Sequence, residues 1–350
     1  MKINKNTILN IRLFVLLGFG IVLIAEISLR FDSTLDSYME KMGSLFYISP
    51  YHHQIKPSKS WIHNRKPNSE KHQSQTEYEY EIISNDEGLR DINHPVNKKK
   101  NEIRIIALGD SFTEGIGVRD LKNTWVKILE HNLENRFAGK TITIFNAGVS
   151  SSDPFFEFVL LKQKLLKYNP DIVLICINQS DIYETIVRGG YERFIENNTV
   201  KFNTAPWFEP VFGMSYLVRL FFVKILNLDW MFLTSIERIN ETELAISKIG
   251  QCIDDLQMLG DENGFKTVMI IQPVSEDLEI NVKGKSNIKN VFPVNSSVLT
   301  LDMINFFKSN NVGCDIDDFF WPIDRHFTKK GNLLFAFGVE EYLMKSGVLE

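Results

Sequence analysis

Short continuous runs of apolar and β-branched residues constrain this chain most. Ile103–Leu108 (IRIIAL) ends in Gly109, and Ile142–Phe145 ends in Asn146-Ala147-Gly148. Ile172–Ile177 ends at Asn178, and Val268–Ile271 forms a fourth run. A run without polar alternation is a strand buried on both faces. Between the runs the apolar spacing changes to helical. Asn123–Phe137 carries Trp125, Ile128, Leu129 and Leu133 on one side, and Phe155–Tyr168 is amphipathic. Glu241–Leu259, Ser297–Phe307 and Gly331–Met344 are also predicted as helices. Strands alternating with helices imply an α/β fold, with a parallel sheet covered on both faces.

Flanking this core are three regions of different texture. Leu13–Ala25 (LFVLLGFGIVLIA) is apolar, and Leu13–Leu29 just reaches the length of a membrane span. A cleavable signal peptide would need a small-x-small site, and Leu23 at the −3 position before Ala25 fits that poorly. A signal anchor fits better, and a buried core helix is disfavoured by the terminal position. Lys2, Lys5 and Arg12 precede the segment; Arg30 and Lys41 follow it among Asp32, Asp36 and Glu40. That bias places the N-terminus in the cytoplasm and residues 31–350 outside it.

Residues 31–100 read as a polar, irregular extracytoplasmic extension. His52, His53, His63 and His72 lie here without metal-ligand spacing and read as solvated loop residues. Asn85–Gly88 is a turn signal. Residues 206–236 interrupt the α/β alternation with Trp207, Phe212, Tyr216, Phe222 and Trp230. They read as an inserted helical subdomain with its own core; a lid or a membrane-facing surface are the alternatives. The expected domains are therefore 1–30, 31–100 and 101–350.

Net charge is −5, from 39 basic and 44 acidic residues, which disfavours nucleic acid as a partner. Cys176, Cys252 and Cys314 are far apart and form no metal motif or disulfide framework. Cys176 is expected in the core.

Ligands of an open parallel sheet bind at the carboxyl ends of its strands. Those ends deliver Gly109-Asp110-Ser111, Asn146-Ala147-Gly148 and Asn178-Gln179-Ser180-Asp181, while Asp324-Arg325-His326 precedes the last helix. These are the types acyl transfer needs. A serine hydroxyl requires a base, an imidazole can be that base, and a carboxylate holds its tautomer. Ser111, His326 and Asp324 are the candidates. The Ser111 and Gly148 N–H groups and a side chain from the third strand end, Asn178 or Ser180, are candidate oxyanion donors. Asp110 is expected to fix the turn. Asp315, Asp317 and Asp318 read as loop carboxylates, because the calcium-loop pattern is absent. Arg325 reads as solvent-facing or salt-bridged.

The blocks IALGDSFTEGIGV (106–118), FNAGVSS (145–151) and DRHFTKKG (324–331) resemble the SGNH, or GDSL, hydrolase superfamily across about residues 103–345. The resemblance matches Ser111 to the nucleophile, Gly148 to the oxyanion glycine, and Asp324 and His326 to the rest of the triad. It implies a flavodoxin-like three-layer α/β/α sandwich. It also implies esterase, lipase, carbohydrate deacetylase or O-acetyltransferase chemistry, with no cofactor or metal. Asn85–Arg90, and an anchor ending in Glu26-x-x-x-Arg30, are similar to membrane-anchored bacterial members found with cell-surface polysaccharide genes. An acyl ester or O-acetylated glycan is the implied substrate. One block departs: aligned on Asp181, Ser180 stands where the family has its oxyanion Asn. Three outcomes follow. Ser180 donates, Asn178 donates from a shifted register, or the hole has two donors. A catalytically inactive protein of this fold, acting in envelope assembly or glycan binding, is the competing function.

Overall fold

The computed structural model describes residues 4–31, 35, 47, 49–51, 60–137, 139–278, 287–290, 298–310 and 315–349. Lys2, Asp32, Asp36, Glu40, Lys41, His52, His53, Ser297 and Cys314 lie outside them.

In chain order, helix α1 (Lys5–Leu29) is followed by strands β1 (Glu70–Ser74) and β2 (Glu79–Ile83). Next come β3 (Glu102–Gly109), α2 (Ser111–Glu114), α3 (Trp125–Arg136) and β4 (Thr141–Gly148). Then follow α4 (Pro154–Leu160), β5 (Ile172–Ile177), α5 (Gln179–Arg188), β6 (Phe194–Ile195) and β7 (Thr199–Val200). Helices α6 (Glu209–Met214), α7 (Tyr216–Leu220) and α8 (Ser235–Asn263) precede β8 (Lys266–Ile271) and α9 (Ser275–Leu278). The chain closes with β9 (Leu299–Asp302), α10 (Met303–Asn310) and α11 (Lys329–Lys345).

Two compact units emerge. Residues 1–54 and 203–240 form one; residues 55–202 and 241–350 form the other. The larger unit holds a five-stranded sheet in the order β4-β3-β5-β8-β9, with every pair parallel. The chain steps from β3 outward to β4, then returns to the other side of β3 as β5. The β3/β5 boundary is therefore the topological switch point, where a ligand crevice opens.

Along β3, Ile105 and Ala107 face Trp125, Leu129 and Leu133 of α3, with Phe335, Val339 and Leu343 of α11 in the same core. Ile106 and Leu108 point to the opposite face by strand alternation and are equally buried. Both faces are thus covered, giving the three-layer α/β/α arrangement; the chain also carries an apolar N-terminal helix.

The fifth strand corrects the helix expected over 297–307. Leu299–Asp302 pairs with Val268–Ile271 as an edge strand, and the helix begins only at Met303. Four residues running straight into a helix leave no turn signal, so helical spacing reads through them. The stretch 31–100 is also less irregular than expected. Glu77–Ile82 (EYEYEI) alternates polar and apolar residues, and it supplies β2, antiparallel to β1. Tyr78, Tyr80 and Ile82 are its buried face.

In the smaller unit, Phe212 is fully buried among Phe208, Phe222, Trp230 and Phe232. Over Thr7–Leu29, α1 has a mean hydropathy of 2.4 and none of that window is buried. By length and composition it can cross a membrane.

Candidate active site

Each candidate residue is presented by a local rule. Asp110 caps α2, its carboxylate accepting the Phe112 N–H at 2.9 Å, so Ser111 becomes the first helical residue. A first-turn N–H has no acceptor within its own helix. Gly148 ends β4 where α2 passes over it. A Cβ there would lie 2.1 Å from the Glu114 nitrogen and 2.5 Å from the Thr113 carbonyl carbon, so only glycine fits.

Asp324 and His326 sit on a tight loop held by the Trp321 N–H to His326 O bond (2.8 Å) and the Phe320–Phe327 bridge. Arg325 between them is left-handed, with φ 68°. That turn lets both flanking side chains face the same way.

Ser111, His326 and Asp324 come together. His326 Nε2 lies 2.7 Å from Ser111 Oγ, and His326 Nδ1 is hydrogen-bonded to Asp324 Oδ1. The imidazole also packs on Phe112, with ring centroids 4.8 Å apart. Burial would raise the Asp324 pKa, but the bond to His326, the His326 charge and the Tyr78 hydroxyl outweigh it and hold the carboxyl below its usual value.

The oxyanion candidates are less uniform. In this state the Gly148 N–H is directed at Asn146 Oδ1, at 3.1 Å. Asn178 is the N-cap of α5, in a capping box with Asp181. Its Oδ1 accepts both the N–H and the hydroxyl of Ser180, each at 2.8 Å. Its Nδ2 donates to Asp110 Oδ2 at 2.8 Å. An amide nitrogen has two hydrogens and a hydroxyl one. Asn178 therefore keeps a donor to spare, whereas the Ser180 hydroxyl is committed to Asn178.

Several residues outside the candidate set surround the site. Glu77, in the β1–β2 loop, accepts the backbone N–H groups of Ile323 (2.9 Å) and Asp324 (2.8 Å). Tyr78 beside it packs on Trp321. Burial and the facing Asp324 carboxylate push the Tyr78 hydroxyl upward in pKa. Arg65 makes a two-point ion pair with Glu114, whose side chain is fully buried, and Glu114 also accepts the Ser150 N–H at 3.2 Å. Arg90 donates to Gly115 O and Val118 O, both at 2.6 Å, fixing the loop after α2. The signal for Glu77 and Tyr78 is the EYEYEI alternation, and Arg90 closes the Asn85–Arg90 block; nothing in spacing marks Arg65.

His63 departs from its expected solvated state. It is half-buried, its Nε2 donates to Ser150 O at 3.0 Å, and its ring packs on Phe156; burial lowers its pKa. His72 is exposed on β1. Cys176 and Cys252 are buried. Asp317 faces Arg325 at 3.6 Å, Asp318 pairs with Lys330 at 2.9 Å, and Asp315 caps its own turn.

Asp110, Glu157, Asp181 and Glu184 are all buried. Burial, with the neighbouring carboxylates, raises Glu157 and Asp181 well above their usual range and Glu184 to about 8. Asp153 is held by Arg188 (2.9 Å) and Arg193 (2.5 Å), which outweigh burial and keep its pKa below the usual value.

No family model and no curated protein sequence matches the chain. Solved structures similar to it include a two-domain esterase active on acetylated mannans, at 13 % identity and TM-score 0.44. That match covers 70 % of this chain and 49 % of the other, so this chain spans about half of that esterase. An acetylxylan esterase from Geobacillus stearothermophilus matches at 12 % identity and TM-score 0.45, covering 70 % of this chain and 96 % of that one. A member of the lipolytic G-D-S-L family from Veillonella parvula matches at 11 % identity and TM-score 0.41, over 69 % and 99 %.

Proposed function

We propose that this protein is a serine-dependent esterase or O-acyltransferase. The observation that carries the proposal is the continuous relay from Ser111 Oγ through His326 to Asp324. In this mechanism His326 Nε2 takes the Ser111 proton while Oγ bonds to the ester carbonyl carbon. Asp324 stabilises the resulting imidazolium. The Ser111 and Gly148 N–H groups and the spare Asn178 N–H receive the negative oxygen, with Gly148 turning from Asn146. Collapse expels the alcohol, which takes the proton from His326 and leaves an acyl-Ser111 ester. Water then attacks the acyl carbon for hydrolysis, or a sugar hydroxyl for transfer; His326 takes the attacker's proton and passes it to Ser111 Oγ as the acyl–Oγ bond breaks, releasing the acid or the new ester.

The proposed substrate is an acyl ester on an extracytoplasmic, O-acetylated polysaccharide, the class implied by the sequence resemblance. The proposed setting is the outer side of the cytoplasmic membrane, with α1 as a single N-in span. The full-length protein should be assayed on p-nitrophenyl acetate and on acetylated glycans, following acetate released and acetate transferred. Turnover of the small ester without release from or addition to any glycan would sink the substrate proposal. No turnover of any ester by folded protein would favour the inactive envelope-assembly alternative.

A further inference from the structure

The aromatic insertion is bonded to the N-terminal helix around Glu26. Glu26 lies one turn before the end of α1, where a carboxylate would otherwise stand alone in an apolar segment. Its Oε1 accepts the Tyr216 N–H at 2.8 Å. Its Oε2 accepts the Leu217 N–H at 3.1 Å and the Ser215 hydroxyl at 2.9 Å. Arg30, one turn further, pairs with Glu26 at 3.2 Å, donates to Met214 O at 3.2 Å and stands over the Tyr216 ring. The start of α7 is thus bonded to the last turn of the apolar helix.

What this junction presents is unusually apolar for a surface. Trp207 is 88 % exposed, Met214 69 % and Ile225 67 %, with Val211 and Phe221 also exposed. Phe31, directly after α1, is 87 % exposed. Water-facing surfaces do not gather such side chains without a partner. Tryptophan with aliphatic residues beside basic ones is the composition of a segment at the level of lipid headgroups. Arg30 and the exposed Lys224 supply the basic residues.

We propose that α6, α7 and the turn after them lie in the interfacial layer of the bilayer that α1 crosses, dipping Trp207, Met214, Phe221 and Ile225 into it. The occupant of this surface is lipid. This rests on α1 being a membrane span. Over Thr7–Leu29, 23 helical residues rise roughly 35 Å, enough for the hydrocarbon core, so Glu26 falls near its outer boundary. The bonds to Glu26 then hold residues 215–217 at that boundary. The unit is a foot around the anchor as well as a tether.

Site-directed spin labelling of the full chain in phosphatidylcholine–phosphatidylglycerol nanodiscs tests this. With Cys314→Ser as background, labels go at Leu16→Cys, Trp207→Cys, Ile225→Cys and, on the other unit, the exposed Lys122→Cys. Power saturation compares collisions with oxygen and with a water-soluble nickel complex. The expected result is a deep signal at 16, and oxygen-to-nickel ratios at 207 and 225 several-fold above that at 122. A deep signal at 16 with 207 and 225 matching 122 would overturn the interfacial foot and leave the anchor standing. An aqueous signal at 16 would remove the anchor itself, and the foot with it.

Discussion

Glu77 Oε2 accepts the backbone N–H of Asp324 at 2.8 Å, so a residue from a hairpin outside the parallel sheet holds the backbone that carries the Asp324 carboxylate. Its other oxygen takes the neighbouring Ile323 N–H. The extension ahead of the sheet is therefore built into the site. Glu77→Ala leaves both N–H groups to water and loosens the Asp324 turn. One neutral-to-charged hydrogen bond is worth about 1.5–3 kcal/mol. We expect kcat to fall at least about tenfold, with KM little changed. Steady-state kinetics checks this; an equal rise in KM would point to a disturbed substrate site instead.

Asp324→Asn should be far more damaging. It removes the charge that stabilises the imidazolium and the acceptor that sets the His326 tautomer. A loss of about 10⁴ in kcat is expected, with the fold intact by circular dichroism. Retention of most activity would show that another group orients His326.

The third oxyanion donor separates by a pair of single substitutions. The Asn178 amide has a hydrogen beyond the one given to Asp110, while the Ser180 hydroxyl is already bonded to Asn178. Asn178→Ala should lower kcat by about 10²–10³. It should also cost about 1 kcal/mol of stability through the lost cap of α5. Ser180→Ala should stay within a few-fold of the parent. The reverse ranking would assign the oxyanion to Ser180.

Glu157 predicts a pH dependence of stability. Among the described residues neither of its buried oxygens has a hydrogen-bond partner, and burial raises its pKa well above 4.5. The folded state then keeps a proton that the unfolded chain releases above about pH 4.5. The stabilising effect of this proton is full below that pH and is lost as pH rises toward the folded value. The slope is at most about 1.4 kcal/mol per pH unit. Glu157→Gln cannot titrate, so urea unfolding at pH 5, 6, 7 and 8 should show the variant gaining on the parent as pH rises. A constant difference would place the Glu157 pKa near its usual value.

Much of this was legible in the sequence, for physical reasons. Ile103–Leu108 and Ile172–Ile177 are buried on both faces, and such strands have no choice but continuous apolar runs. Residues at their ends, Ser111 and Asn178, are then delivered to one edge by topology alone. The edge strand Leu299–Asp302 escaped because it is four residues long and fuses with a helix. The bonds of Glu77 to the Asp324 turn and of Arg65 to Glu114 escaped because local periodicity can mark a strand but not which residues far apart in the chain it will meet. The engagement of Gly148 N–H by Asn146 escaped because a backbone donor's partner depends on side-chain rotamers that sequence does not fix.

The central claim is that Ser111 is a nucleophile activated by His326. Treating the full-length protein with a fluorophosphonate and reading its intact mass tests that directly, beside Ser111→Ala and His326→Ala. A single adduct on the parent, absent from both variants, is predicted. No adduct on folded parent protein, or an adduct that persists in Ser111→Ala, would contradict the account.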